Sequence, residues 1–237
     1  MKIIYMGTPD FAKKSLEAIY NAGHEILAVV TNPDKPKGRG MKMMESPVKQ
    51  YAVEKGLKIY QPEKVKNNTQ FIEEMKELKP DVICVVAYGK ILPKEILDIP
   101  SKGCINVHGS LLPKYRGAAP IQWAIINGEK TTGVTTMYMD IGMDTGDMIL
   151  KKETAIGENE TTGELWERLA KIGAELLVET LQKIEDGTAP RIPQGEQFTM
   201  APMLNKEMSK IDWENKSAEQ IKNLVRGLNP IMGTYSY

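Results

Sequence analysis

The chain has 237 residues, enough for one large domain or two, with a core that needs neither disulfides nor a structural metal. Hydrophobic residues make up 41% and charged residues 26%, and 31 basic side chains balance 31 acidic ones. This composition excludes a disordered chain, a disulfide scaffold and a strongly basic chromatin-type binder. No apolar run approaches the roughly 20 residues of a membrane span, so we expect no membrane partner and a cytoplasmic location.

The sequence offers few side chains for a metal site. Its two cysteines, Cys84 and Cys104, both stand in apolar runs typical of core strands, and no C-x-x-C pair occurs. The two histidines are His24 and His108. We therefore expect inert, buried thiols and no bound metal.

The first 190 residues alternate between short β-branched runs and helical patterns. These patterns predict strands over residues 2–6, 26–31, 57–60, 82–87 and 104–108, and helices over 11–21, 48–55 and 69–78, with a short helix after Pro93. Such alternation predicts an α/β fold with an open, mostly parallel sheet and helices on both faces. Because the run at 82–87 is apolar without alternation, it is expected at the centre of the sheet.

The pattern changes after residue 128. Residues 131–139 and 148–154 predict two antiparallel strands, joined by the polar, Gly-rich segment DIGMDTGD. Apolar residues at helical spacing predict one long helix over 161–185, and Gly187 follows as a stop signal. The next residues, to about 205, contain three prolines and indicate a linker or an arm packed across the domain. A last helix is predicted over 217–227.

Three well-known motifs are missing. The first strand and helix are joined by MGTPDF, which has only Gly7 where a dinucleotide site requires G-x-G-x-x-G. We interpret Gly7 as a turn residue and Pro9 as the start of the helix. Neither G-x-x-x-x-G-K-[ST] nor G-x-S-x-G occurs, which disfavours phosphoryl transfer and a nucleophilic serine.

The segment GCINVHGSLLPKYRG, residues 103–117, is the most informative in the chain. Asn106 and His108 stand two apart on a predicted strand, so both side chains point to one side of the sheet. They lie near the carboxyl end of that strand, where open α/β sheets bind ligands. A lone histidine is more often a hydrogen-bonded core residue. An imidazole beside a carboxamide at this position nevertheless suits acyl transfer, because one group exchanges protons and the other stabilises an oxyanion.

A carboxylate to act with the histidine is available in DIGMDTGD, which supplies Asp140, Asp144 and Asp147. The alternatives for this segment are a solvated hairpin loop and a calcium loop. The calcium interpretation fails, because Thr145 and Lys151 stand where an EF-hand loop requires Gly and Glu.

The chain resembles the folate-dependent formyltransferases over essentially its whole length. The motifs that carry the resemblance are INVHGSLLPKYRGAAPIQWAI, MDIGMDTGDMI downstream of it, and MGTPDFA near the start. The resemblance implies a Rossmann-like catalytic domain over residues 1–187 and 10-formyltetrahydrofolate as the formyl donor. It also implies a catalytic set of Asn106, His108 and Asp144. The donor pocket that it implies is lined by Tyr88, Gly89, Ile91, Leu92, Pro93, Ser110, Leu111, Leu112 and Pro113.

The formyl acceptor is the next question, and residues 32–49 bear on it. This segment has five basic and two acidic side chains, a net charge of +3. Its plain interpretation is a solvated loop. It is, however, similar to the loop with which the formyltransferases that act on methionyl-tRNA contact the acceptor stem, and lysine and arginine dominate phosphate contacts. We expect tRNA binding by Lys35, Lys37, Arg39 and Lys42, with Arg39 as the principal contact.

The resulting hypothesis is direct attack of the methionyl α-amine of initiator tRNA on the donor's formyl carbon, through a tetrahedral intermediate. Asn106 and protonated His108 would stabilise the oxyanion, and Asp144 would orient the histidine and assist proton removal. Two alternatives stay open. One is a formyltransferase acting on an amino sugar or glycinamide ribonucleotide, and the other is a catalytically idle tRNA-binding module.

The resemblance also bears on the end of the chain. It implies a linker over residues 188–207 and the truncated start of a C-terminal β-barrel domain over 208–237, because five strands cannot be built from so few residues. We expect the final TYSY to be mobile or to pair with another chain, and the protein to be a monomer.

Overall fold

The computed structural model describes residues 1–37 and 42–237, and for Lys37 and Lys42 only the backbone. Within these ranges, seven strands form one sheet in the order β5-β2-β1-β6-β7-β8-β9, and two form a small separate hairpin, β3-β4. In chain order the strands are β1 (Lys2–Gly7), β2 (Glu25–Val30), β3 (Lys35–Lys37), β4 (Lys42–Met44), β5 (Ile59–Tyr60), β6 (Val82–Val86), β7 (Cys104–His108), β8 (Thr131–Tyr138) and β9 (Met148–Ala155).

The sheet is mostly parallel, and the α/β prediction is confirmed. Strands β5, β2, β1, β6 and β7 pair in parallel, whereas β7-β8 and β8-β9 pair antiparallel. The apolar run VICVV forms β6, which is buried at every position and lies fourth of the seven strands. A strand covered on both faces has no need of polar alternation, and this is why the run is apolar throughout.

The helices predicted with bounds fall within one residue of those bounds, and α4 follows Pro93 as expected. They are α1 (Asp10–Asn21), α2 (Pro47–Glu54), α3 (Thr69–Glu77), α4 (Lys94–Leu97), α5 (Pro120–Ile126), α6 (Thr162–Glu185) and α7 (Ala218–Leu228), with a 3₁₀ helix at Lys206–Ser209. Sequence analysis missed α5, the 3₁₀ helix and the β3-β4 hairpin. Each is too short to develop a hydrophobic period.

Two hydrophobic layers enclose the sheet. The alternation along β1 feeds both of them, because Ile3 and Tyr5 face one layer whereas Ile4 and Met6 face the other. Helices α1, α2, α5 and α6 cover the first layer, and α3 and α4 cover the second. The central strands are therefore buried on both faces, whereas the edge strand β9 is largely exposed beyond Leu150, and the strand ends remain accessible.

The long helix α6 supports the strand that carries the histidine. It begins with a capping box, in which Thr161 and Glu164 satisfy each other's backbone N–H groups. Gly173 faces the sheet, and a Cβ there would come within 2.9 Å of a methyl group of Val107. The absence of a side chain at this point lets α6 pack closely against β7. The helix ends before Gly187, which has a left-handed φ of +70°.

Both cysteines are unpaired and buried in the core, as predicted. Burial raises the pKa of both thiols, that of Cys104 to about 12. Each thiol therefore stays protonated and unreactive. Across the described ranges, none of the helices is both long and apolar enough to cross a bilayer.

The proline-rich segment after α6 is an arm packed across the domain rather than a free linker. The backbone of Ile192 exchanges two hydrogen bonds with that of Met148 in β9. Further along, the backbone of Arg116 bonds to Thr199 and Ala201. The division into a catalytic domain, a linker and a C-terminal start stays a prediction, but Ile192 is joined to strand β9, and Thr199 and Ala201 to the loop after β7, by backbone hydrogen bonds.

The expectation for the final residues is wrong. Tyr235 donates its N–H to the carbonyl of Ser209 and accepts from the N–H of Ile211, so TYSY pairs within its own chain. The accepting carbonyl is that of the last residue of the 3₁₀ helix, the donating N–H of Ile211 lies just after it, and their pairing with Tyr235 could not be predicted from the sequence.

Candidate active site

The site lies at the carboxyl edge of the sheet. The chain leaves β1 for β2 on one side and later returns to β6 on the other, so β1 and β6 flank the point where the strand order reverses. Ligands of open α/β sheets bind in the crevice outside the carboxyl ends of the strands at such a point. The loops that follow β6 and β7 border this crevice.

Strand β7 presents Asn106 and His108 at this edge. His108 is 6% exposed, and its Nε2 lies 2.8 Å from the carbonyl oxygen of Tyr115. Because a carbonyl only accepts, Nε2 carries a proton and donates it. The other ring nitrogen, Nδ1, is then the one free to gain or lose a proton.

Asp144 faces both of these side chains. Its Oδ2 lies 3.7 Å from Nδ1 of His108, and its Oδ1 accepts from the Asn106 amide at 3.4 Å. The backbone N–H of Gly117 also donates to Oδ2 at 2.9 Å. The structure therefore brings together the three residues singled out in the sequence, with the carboxylate oriented by donors from two different segments.

The other two aspartates of DIGMDTGD have different partners. Asp140 closes its own loop by accepting from the N–H of Gly142 and the hydroxyl of Thr145. Asp147 lies 3.6 Å from the guanidinium of Arg191. Asp144 is thus the member of this group that reaches β7.

Two residues that contact the site have left-handed backbones without being glycine. Asp144 has a φ of +54° and Tyr115 a φ of +62°. Such conformations are unfavourable for residues with a Cβ and persist where the surroundings enforce them. Here one residue contributes the carboxylate beside Nδ1, and the other contributes the carbonyl that fixes Nε2.

The loop after β7 is held by Thr135, which sequence analysis missed. This buried residue of β8 lies opposite His108 in the antiparallel register. Its hydroxyl donates to the carbonyl of Ser110 at 2.7 Å and accepts from the N–H of Leu112 at 3.1 Å. A threonine in a strand is common for its β-branch alone, and no signal in the sequence sets Thr135 apart.

Gln194 of the proline-rich arm was also missed. It is 9% exposed, and its amide nitrogen donates to the carbonyls of both Asp144 and Gly146 at 2.8 Å. A glutamine in a stretch without periodicity gives no hint that it is buried or that it contacts another loop.

The predicted donor-binding loop follows β6. Tyr88 is 2% exposed, and no residue of the described part of the chain hydrogen-bonds to its buried hydroxyl. Burial raises the pKa of Tyr88 to about 12, so the hydroxyl keeps its proton. Gly89 has a φ of +78°, Ile91 is 79% exposed, and Leu92 packs in the core ahead of Pro93, which caps α4.

The second predicted donor-binding segment, residues 110–113, is less open. Ser110 is fully buried, and its hydroxyl donates to the carbonyl of Lys114. Leu112 packs against Met137 and Met148, whereas Leu111 and Pro113 are partly exposed. The side chains of Ser110 and Leu112 therefore shape the loop from inside.

The basic segment is partly described. Lys35 is exposed on β3, and the backbone of Lys37 pairs with that of Lys42 in β4. Arg39 lies outside the described residues. Lys49, counted in the charge of the segment, forms ion pairs with Asp34 and Glu45, and the bond to Asp34 raises the pKa of Lys49 and lowers that of Asp34.

No cluster of three or more His, Cys, Asp or Glu side chains suited to a metal ion occurs within residues 1–37 and 42–237.

The chain matches known proteins along its whole length. A sequence model of the formyl transferase family matches residues 1–181, and one of the formyl transferase C-terminal domain matches residues 203–237. The methionyl-tRNA formyltransferase of Caldanaerobacter subterraneus subsp. tengcongensis is 57% identical over 238 residues, covering 100% of this chain and 77% of that protein. The chain belongs to the methionyl-tRNA formyltransferase family. Another member, from Clostridioides difficile, is 60% identical and is covered to 76%.

Solved structures show that this chain shares its fold with more distant proteins. A sugar N-formyltransferase from Shewanella sp FDAARGOS_354 superposes with a TM-score of 0.75 at 19% identity, covering 100% of this chain and 92% of that one. HypX from Aquifex aeolicus in complex with tetrahydrofolic acid gives a TM-score of 0.73 at 18% identity, covering 100% of this chain and 36% of that one. The expected Rossmann-like formyltransferase fold is confirmed.

Proposed function

We propose that this chain transfers the formyl group of 10-formyltetrahydrofolate to the α-amino group of initiator methionyl-tRNA, using Asn106, His108 and Asp144. The observation that carries the proposal is the meeting of these three side chains at the carboxyl end of β7. Formyl transfer requires a hydrogen-bond donor to the developing oxyanion and a route for the proton that the amine loses. An amide, an imidazole and a carboxylate in contact supply both.

The loop after β6 has the features expected for a pocket that binds the formyl donor. This loop presents the apolar side chain of Ile91 to solvent and, three residues earlier, the buried hydroxyl of Tyr88, which has no hydrogen-bond partner among the residues that the structure describes. Apolar surface with a few polar groups is the usual lining of a pocket for a ring system. The donor supplies an activated formyl carbon when it is bound, and Tyr88, Gly89, Ile91, Leu92 and Pro93 would hold it, together with residues 110–113.

Asn106 stabilises the negative charge that develops on the formyl oxygen. Its amide nitrogen carries two hydrogens, of which one is directed to Asp144 at 3.4 Å. The second is available for the formyl oxygen as that atom gains charge. A hydrogen-bond donor that is fixed in this way needs no reorganisation during the reaction.

His108 and Asp144 handle the proton. Because Nε2 is committed to the carbonyl of Tyr115, protonation of the ring places the new proton on Nδ1, beside the carboxylate. A protonated His108 stabilises the oxyanion, and Asp144, held by the N–H of Gly117, orients the ring and assists removal of the amine proton. When the tetrahedral intermediate collapses, the bond between the formyl carbon and the folate nitrogen breaks, and that nitrogen takes up a proton as tetrahydrofolate leaves.

The acceptor is tested by comparison of substrates. We expect the chain, given 10-formyltetrahydrofolate, to formylate methionyl initiator tRNA faster than methionyl elongator tRNA, and to leave an amino-sugar nucleotide and glycinamide ribonucleotide unchanged. Preferred formylation of the sugar or the ribonucleotide would overturn the assignment of the acceptor. Binding of tRNA without any donor turnover would overturn the assignment as an enzyme.

We further propose that Lys35, Lys37, Arg39 and Lys42 bind the acceptor stem. The support is the basic sequence of this segment and the pairing of its acids. Asp34 and Glu45 form ion pairs with Lys49, so they do not neutralise Lys35, which lies nearer the tip of the hairpin. Arg39→Ala should weaken tRNA binding and reduce its slope in log Kd against log salt by about 0.9, the value for one phosphate contact. Glu196→Ala, an exposed position on the arm, is the control. An unchanged slope would remove Arg39 from the interface.

We also propose a monomer acting in the cytoplasm, where its tRNA acceptor is found. Sedimentation of the chain with and without tRNA tests the monomer directly, and a dimer at working concentration would contradict it.

A further inference from the structure

One buried side chain outside the three catalytic candidates joins the two loops on which they depend. Gln194 lies on the proline-rich arm, about 50 residues along the chain from Asp144. Its amide nitrogen donates to the carbonyls of Asp144 and Gly146, both at 2.8 Å. Its amide oxygen accepts from Nε of Arg116 at 2.9 Å. Both amide hydrogens are therefore used on the loop that carries the candidate carboxylate.

Arg116 ties the same side chain to the histidine loop. It is 7% exposed and stands between Tyr115, whose carbonyl fixes Nε2 of His108, and Gly117, whose N–H fixes Oδ2 of Asp144. Its guanidinium lies over the ring of Phe198, 4.4 Å from the centroid. Gln194 thus lies on a short, continuous path between the groups that orient the imidazole and those that orient the carboxylate.

The backbone at Asp144 requires such support. Its φ of +54° is an unfavourable conformation for a residue with a Cβ, and relaxation would turn the side chain away from β7. The carbonyl that Gln194 binds belongs to this residue, and the second belongs to Gly146, two positions further on. The two hydrogen bonds from this one amide nitrogen hold the carbonyls on both sides of Thr145 and so restrain rotation of their peptide planes.

The arm itself is attached independently of Gln194. Backbone hydrogen bonds join Arg116 to Thr199 and Ala201, and Ile192 to Met148. Removal of the Gln194 amide therefore leaves the arm paired on both sides of it. A loss of activity without loss of the fold would come from the Asp144 loop.

We infer that Gln194 is a positioning residue for formyl transfer, which holds the Asp144 carboxylate at its place beside Nδ1 of His108. The inference rests on the proposed function, since it gives Gln194 a role only through Asp144. Misplacement of a reacting group by about 1 Å costs on the order of 10²-fold in rate. That loss should appear in kcat, whereas KM for the donor and for methionyl-tRNA should stay within about twofold, because the hydrogen bonds of the Gln194 side chain to the described residues go to Arg116, Asp144 and Gly146, outside the predicted binding segments.

The test compares Gln194→Glu, Gln194→Ala and Gln197→Ala in the full chain. Glutamate keeps the size and the acceptor for Arg116 but has no hydrogens for the two carbonyls. Gln197 is an exposed glutamine of the same arm and serves as the matched control. We expect both Gln194 variants to lose about 10²-fold in kcat with unchanged KM values, and Gln197→Ala to match the parent chain.

A double-mutant cycle separates positioning from plain structural support. If Gln194 acts through Asp144, Gln194→Glu should lower kcat by less than about threefold in an Asp144→Asn background. An equal fall in kcat in both backgrounds would overturn the inference. So would a rise in KM at constant kcat, or unfolding of both Gln194 variants. If the proposed role of Asp144 in formyl transfer is itself wrong, the result is different, because Asp144→Asn alone then keeps the kcat of the parent chain.

Discussion

Two neighbouring loops at the carboxyl edge of the sheet are built in different ways. The loop after β7, residues 109–117, is bound from several distant elements, by Thr135 of β8 and by Thr199 of the arm among others. The loop after β6, residues 87–93, is fixed at its base, where Asn32 donates to the carbonyl of Tyr88 and Lys90 to that of Glu63. Beyond these contacts it presents Ile91 to solvent.

The difference follows from what each loop has to do. Oxyanion donors and proton carriers are effective when their geometry is fixed before the reaction begins, and this requires many contacts from the surrounding structure. A pocket for a ring system requires exposed apolar surface and a few unpaired polar groups. The polar groups of the loop after β7 therefore bond to the surrounding protein, whereas the Tyr88 hydroxyl in the loop after β6 has no hydrogen-bond partner in the described ranges.

The largest effect is expected where the fixed loop meets the chemistry. His108→Ala should lower kcat for formyl transfer by roughly 10²–10⁴-fold, the usual contribution of one general acid–base group. Donor and tRNA affinity should persist, because the loop after β6 and the basic segment are untouched. Steady-state kinetics together with a donor titration measure both.

The other histidine of the chain supplies the control for this experiment. His24 lies near the N-terminal amine, away from the carboxyl edge, and His24→Ala should keep the parent rate. Near-normal turnover of His108→Ala would show that the imidazole is not part of the mechanism. It would also contradict the assignment of catalysis to the loop after β7 and of donor binding to the loop after β6.

A smaller effect is expected from the support of the fixed loop. Thr135→Val removes a hydroxyl that serves two buried backbone groups and should cost about 1–3 kcal/mol of unfolding free energy. It should also lower kcat, because Ser110 and Leu112 begin the loop that carries Tyr115. Urea unfolding and steady-state kinetics are the measurements.

Thr136→Val is the matched control for that variant. Thr136 is the next residue of β8, and its buried hydroxyl bonds to that of Thr180 on α6 instead of to the loop. It should lose a similar amount of stability and keep its kcat. An equal loss of kcat in both variants would show that rate follows general stability, not the anchoring of this loop.

The smallest effect is expected in the loop after β6. Tyr88→Phe deletes a hydroxyl that has no hydrogen-bond partner in the described part of the chain, so the unfolding free energy of the donor-free protein should change by less than about 1 kcal/mol. Tyr5→Phe, which breaks a hydrogen bond to the carbonyl of Ala12, should lower that free energy by about 1 kcal/mol. If the Tyr88 hydroxyl bonds to the donor, KM for the donor rises several-fold at constant kcat. Thermal unfolding and donor titration test the pair, and an unchanged KM would place the hydroxyl outside the donor site.

Most of the fold could be predicted from the sequence, because its long elements carry clear periods. The apolar run of β6, the strand that ends at His108 and the helix that ends before Gly187 all lie where they were predicted. The missed α5 has only seven residues. A segment of that length shows too few turns for its period to be recognised.

The site was predictable to a lesser degree. The two-residue spacing of Asn106 and His108 on a strand requires that their side chains share a face, and the structure places them so. The choice of Asp144 among three aspartates rested on the resemblance to a family, not on the spacing. The contacts of Thr135 and Gln194 arise from tertiary packing between segments far apart in the chain, and a single sequence carries no record of them.

The most direct test is a single-turnover measurement that sets Asn106→Ala against Ile91→Ala over a range of donor concentrations. Asn106→Ala should lower the rate at saturating donor by roughly 10²–10³-fold and leave donor affinity unchanged. Ile91→Ala removes three apolar carbons, worth about 2.4 kcal/mol when fully buried, so it should weaken donor binding by roughly 10- to 60-fold, depending on how much of the side chain the donor covers, and keep the saturating rate. The reverse pattern, with Asn106 governing affinity or Ile91 governing the saturating rate, would contradict the division of roles between the two loops.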